Sequence, residues 1–197
     1  MDFFTPLYIK RISRSGYINL ISILLMLCIS QVVLAENFSI RSVETVLNDK
    51  VYQLNANIQF DFSDEAIKAL QNGVPIIILL DMEVYRERSW WWDSRMAKLQ
   101  QGYLMLYHAL TEKYIVTNLN SGAQSDYRSL RSTLAALGRI RNLPLIDAHL
   151  LQKNTKYRVK LRVYLDIESL PAPMRPLAYL SSDWQLESDW YQWPIQP

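Results

Sequence analysis

Cysteine is nearly absent from this chain: Cys28 is the only one in 197 residues, and it sits inside an apolar run near the start. A disulfide framework and a thiolate metal site are thereby excluded for residues 36–197, whose stability must come from a buried core. Histidine is almost as scarce. His108 and His149 supply two ligands where a zinc site normally needs a third. Only five glycines occur, and none forms a phosphate loop or a Gly-Xaa-Ser-Xaa-Gly elbow; a His-Glu-Xaa-Xaa-His helix is missing too. Nothing in the sequence nominates a metal or cofactor. No repeat, low-complexity tract or linker divides the chain after residue 35.

What is present begins with the leader. Lys10, Arg11 and Arg14 precede an apolar stretch from Tyr17 to Leu34, which ends in Val33-Leu34-Ala35. A basic head, an apolar middle and small residues before a cut are the parts of a secretory signal peptide. Cleavage between Ala35 and Glu36 is the expectation. The alternative is an uncleaved N-terminal anchor, because about 18 apolar residues is near the lower limit for a membrane-spanning helix. Ser22, Ser30 and Gln31 weaken that span. In both cases the basic flank stays inside and the rest is translocated, which places the chain in the periplasm, free or held at the inner membrane by residues 17–34.

Removing residues 1–35 changes the charge. The full chain has 21 Lys and Arg against 19 Asp and Glu; the leader holds Lys10, Arg11, Arg14 and Asp2, leaving 18 of each. A neutral remainder has no global field to attract nucleic acid.

Tyr52 to Phe62 alternates strictly: Tyr52, Leu54, Ala56, Ile58, Phe60 and Phe62 against Gln53, Asn55, Asn57, Gln59 and Asp61. Period two puts one set on a buried face and the other in water. Phe38 to Leu47 reads as a hairpin partner, with the turn at Asn48-Asp49. Ser63 caps a short helix that Asn72-Gly73 ends. Strands are expected over residues 74–85, 99–110, 113–119, 144–151 and 157–167, with a second short helix over 129–140. The prolines of Leu170 to Pro176 predict an irregular connection, and 178–195 predicts a last strand or hairpin. The fold class is mainly β: an antiparallel β-sandwich, immunoglobulin-like in outline, with two short connecting helices behind an apolar signal helix, and residues 36–197 forming one domain.

Several strings occur in one order. Ala69-Leu70-Gln71-Asn72-Gly73-Val74-Pro75-Ile76 is followed by Trp90-Trp91-Trp92-Asp93, then Tyr107-His108-Ala109-Leu110-Thr111 with Tyr114, then Leu134-Ala135-Ala136-Leu137-Gly138-Arg139. A Leu-Pro segment and a C-terminal tryptophan pair close the chain. This set resembles an exported proteobacterial family catalogued as domain of unknown function 4390, over about residues 36 to 193. The resemblance brings no catalytic residue. It implies an envelope signalling partner, through the association of the family's genes with a membrane sensor histidine kinase.

Trp90-Trp91-Trp92-Asp93 is the most unusual local feature. In extended chain neighbouring side chains point to opposite faces, so at least one indole is expected outside the core, where it could anchor a partner or stack on a sugar. Arg86 and Arg88 are placed to lie over the rings and Arg95 to pair with Asp93. A loop folded over the sheet edge is the plainer reading. His108 is expected on an apolar strand face near this segment, bonded to backbone, with a pH-sensing or ligand role as the alternative. Arg158, Lys160 and Arg162 share the wet face of one strand, a basic stripe that suits an acidic partner or anionic lipid, or else the charged guard of an edge strand. Asp183, Glu187 and Asp189 are candidates to cover it. Asp81 and Glu83 share a strand face and are the one carboxylate pair for hydrolytic chemistry, with nothing further to support an enzyme.

The expected function is therefore non-enzymatic: an interaction module binding an envelope or inner-membrane protein, with a glycan- or lipid-binding module, or a weak hydrolase, as alternatives.

Overall fold

A computed structural model describes residues 37–88 and 93–197. The expected signal segment and cleavage between Ala35 and Glu36 fall on residues outside the described ones, as do Trp90, Trp91 and Trp92. No described helix is long and apolar enough to cross a membrane.

The alternation over Tyr52 to Phe62 does what period two requires. Strand β1 (Ser39–Asn48) pairs antiparallel with β2 (Val51–Gln59). Asp49 and Lys50 both have positive φ at the turn, the backbone of a tight two-residue hairpin. Tyr52, Leu54, Ala56 and Ile58 are buried, and Asn57 and Gln59 are exposed. Ser63 then caps helix α1 (Asp64–Gln71), accepting a hydrogen bond from the Ala66 amide at 3.2 Å. Gly73, at φ 83°, closes the helix: its amide donates to Leu70 O while the Val74 amide donates to Ala69 O. A side chain at that φ would be strained.

Strands β3 (Ile76–Arg86), β4 (Ser94–His108), β5 (Lys113–Asn118) and β6 (Gln124–Tyr127) follow as successive antiparallel neighbours. Helix α2 (Leu130–Leu137), capped by Ser129, leads to β7 (Arg139–Asp147), which returns to β2. Strand β8 (Tyr157–Leu165), helix α3 (Arg175–Leu180) and β9 (Tyr191–Ile195) complete the order. Two antiparallel sheets result, β1-β2-β7 and β6-β5-β4-β3-β8-β9. Their inward residues form one core, in which Ile76, Ile78, Leu80 and Val84 of β3 meet Val159, Leu161 and Val163 of β8 and Leu54 of β2.

Gly138 is required by a close approach. The Ile58 amide donates to Gly138 O at 2.8 Å, and a Cβ on Gly138 would fall 2.1 Å from Ile58 O. Helix α2 and strand β2 touch there backbone to backbone.

Four expectations change. A third α-helix is present: Pro176 is tolerated in α3 because it lies in the first turn, where amides have no helical acceptor anyway. The last strand accordingly shrinks to Tyr191–Ile195. The strand placed at 144–151 begins at Arg139 and ends at Asp147, before a single turn at Ala148–Leu150. The basic strand is not an edge either, since β8 lies between β3 and β9.

Candidate functional site

Only one face of the six-stranded sheet is needed for the core, and the other carries the candidate site. In β3 the residues alternating with the core set are Asp81, Glu83 and Tyr85. Register sets them opposite Arg162, Lys160 and Arg158 of β8. On the other side Gln100 and Lys98 of β4 stand opposite Asp81 and Glu83. The two carboxylates are the middle row of a polar array, only 4% and 9% exposed although they face away from the core.

Each carboxylate is held by its own partners. Asp81 accepts hydrogen bonds from Gln100 at 2.9 Å and from the Tyr164 hydroxyl at 3.5 Å, with Arg162 3.8 Å away. Glu83 accepts from the Tyr85 hydroxyl at 2.6 Å and from Arg95 at 3.2 Å. Burial alone would raise the Glu83 carboxyl, but the Tyr85 hydroxyl and the Arg95 guanidinium outweigh it and hold the group below the usual range. The same contact pushes the Tyr85 hydroxyl up, with burial adding to it.

The cations are equally occupied. Arg162 lies 4.8 Å from the Tyr164 ring and 5.0 Å from the Trp190 ring, and its second ion partner is Glu187 at 3.5 Å. Its Nε is buried with no hydrogen-bond partner among the described residues. Lys160 stands 4.9 Å over the Tyr85 ring. Arg158 reaches Glu87 at 2.6 Å and Asp93 at 3.5 Å. Glu87 and Asp93 flank, in sequence, the segment that holds the three tryptophans. Arg158 thus binds both feet of the β3–β4 loop.

Arg86, Arg88, Asp93 and Arg158 come together at this end of the sheet. Arg86 donates to Gln152 at 2.5 Å, the Glu87 amide donates to Lys156 O at 3.0 Å, and Arg88 lines a polar hollow of about 460 Å³ with Glu87, Asn154, Thr155 and Lys156. Lys160 and Arg162 continue the row toward the middle of the sheet. Two expected contacts differ. Arg95 pairs with Glu83 rather than Asp93, because the β-bulge between Val84 and Tyr85 shifts the register beside it. His108 is far from the loop: it is exposed at the opposite end of β4, with Nδ1 3.1 Å from Thr111 Oγ1.

A family model describing a domain of unknown function, DUF4390, matches residues 35–194. The chain belongs to this family. No curated protein and no solved structure matches it.

A second feature of this DUF4390 chain lies at the seam where β7 faces β5 and β6. There the sheets leave a cleft of about 380 Å³, lined by Tyr103, Val116, Tyr127, Leu137 and Ile140 with Asn118 and Arg139 among its polar walls. Burial raises the Tyr103 hydroxyl. No group of three or more His, Cys, Asp or Glu side chains among the described residues is placed to hold a metal ion. Sequence reading passed over Tyr85, Glu87, Gln100, Tyr164 and Trp190. Tyr85 had a usable signal, since it continues the period-two set of Asp81 and Glu83. Glu87, Gln100 and Trp190 reach the array only through strand pairing and loop closure.

Proposed function

We propose that this chain is an exported, non-enzymatic interaction module of the cell envelope, and that it engages a partner protein through the β3–β4 loop. The observation that carries the reading is Arg158, which ties Glu87 and Asp93 to the sheet at once. A loop held at both feet loses less freedom on binding, so more of its contact energy is retained. The array supports the same view from the other side. Asp81 and Glu83 are both engaged by neighbours, and Glu83 is held ionised, a poor setting for a general acid. A membrane sensor kinase is the partner we favour.

The test is crosslinking of the native protein in intact cells, with mass spectrometry of its partners and of its own N-terminus. Capture of a membrane protein through residues 88–93, with a mature start at Glu36, is the expected result. Trp91→Ala and Trp92→Ala should abolish that capture while leaving thermal unfolding unchanged; unfolding of either variant would move the indoles into the core and sink the reading. The seam cleft favours a second reading, a small glycan or lipid ligand, because its volume is in the range of ligand pockets. That reading expects a thermal shift with envelope glycans or lipids and no protein partner.

A further inference from the structure

Three connections meet at the end of the sandwich that carries the β3–β4 loop. The Ala148 amide donates to Lys50 O at 2.7 Å, joining the β1–β2 turn to the β7–β8 connection. Arg86 and the Glu87 amide join that connection to the β3–β4 loop, through Gln152 and Lys156 O. Lys50, Arg88, Lys153 and Lys156 project from these connections, all exposed, and none makes an ion pair with a described residue. Of the acids there, Glu87 and Asp93 are taken by Arg158, which leaves Asp49 and Asp147.

The opposite end carries charges of both signs. Asp64 and Glu65 of α1, Asp166 and Glu168 after β8, and Asp183 beside Ser63 lie there together with Lys68, Arg175, Arg41 beside Gln59, and Arg139 and Arg141 at the start of β7. Asn37 lies at that opposite end: it precedes β1, whose start pairs with the end of β2, and its side chain accepts from the Glu187 amide.

We infer that the basic end receives an acidic segment of the partner protein, which deepens the interaction reading above and rests on it. Carboxylates on that segment would meet Lys50, Arg88, Lys153 and Lys156, with the polar hollow between Arg88 and Lys156 taking one side chain. The full chain in neutral detergent should bind a fluorescent oligoglutamate peptide saturably and ignore the matching oligoglutamine peptide. Binding should weaken about tenfold in Arg88→Glu/Lys153→Glu/Lys156→Glu. It should also fall as salt rises to ~0.15 M, where the screening length is about 8 Å. Lys68→Glu/Arg128→Glu/Arg131→Glu, with the same change of net charge elsewhere, should bind like the parent.

Equal loss in both triple variants would reduce the effect to net charge and overturn the inference. So would binding to phosphatidylglycerol vesicles but not to the peptide. Crosslinking in cells separates the two levels: capture that survives charge reversal keeps the interaction module and removes the acidic segment, whereas no capture by the parent chain removes both.

Discussion

Strand β8 has two faces built on one spacing and held by different forces. Tyr157, Val159, Leu161, Val163 and Leu165 are buried against the small sheet, and their contribution follows the apolar area taken from water. Arg158, Lys160 and Arg162 alternate with them and are held by acids and rings on β3, on the tail and beside the loop. The first set tolerates no gap, because packing is short-ranged. The second is a mesh of partly exposed pairs, each worth about 0–1 kcal/mol. A strand can thus fix the fold with one face and leave the other free to be shaped by recognition.

The comparison is broken most severely from inside. Leu161→Ala should cost about 3 kcal/mol, since a fully buried leucine leaves a cavity between the sheets; a urea midpoint shifted no more than that of a surface variant would contradict it. Asp81→Ala is the strongest blow to the outer face. It removes the acceptor of Gln100 and a counter-ion of Arg162, and should cost about 2 kcal/mol. Adding Arg162→Met should restore part of that loss, and strictly additive unfolding energies for the double variant would show that the two side chains do not interact.

Glu83→Gln is gentler and sharpens the contrast through pH. Its carboxyl is held low in the fold, so its contribution is complete above the unfolded value and is lost as pH falls through the folded one. The variant should be about 1 kcal/mol less stable at neutral pH and indistinguishable from the parent in acid. Melting temperatures across that range decide it; a gap that widens toward low pH would reverse the assignment. Leu161→Ala should show no such dependence.

Much of the fold was legible because its local rules agree. The alternation of β2 and β8 named the buried sides, and Ser63, Ser129 and Gly73 marked helix ends whose hydrogen bonds are present. Strand β6 was missed because Gln124-Ser125-Asp126-Tyr127 has no apolar alternation and is held mainly by pairing with β5. Helix α3 was missed because proline was weighed as a breaker without regard to its place in the first turn. Strand order was the larger gap. No pattern within residues 157–165 shows that β3 and β9 flank them, and that placement turns a basic stripe into one side of an ion-paired array. Candidate residues could be named one by one; their assembly depended on contacts between distant parts of the chain, such as Arg158 with Glu87.

The separation of Asn37 from the β3–β4 loop has a mechanical consequence. They lie at opposite ends of the sandwich, and β3 runs its length with eleven extended residues, about 35 Å at the usual rise. A stack of paired strands is stiff along that direction. The domain therefore acts as a spacer of set length, holding Glu87 and Asp93 well clear of residue 37.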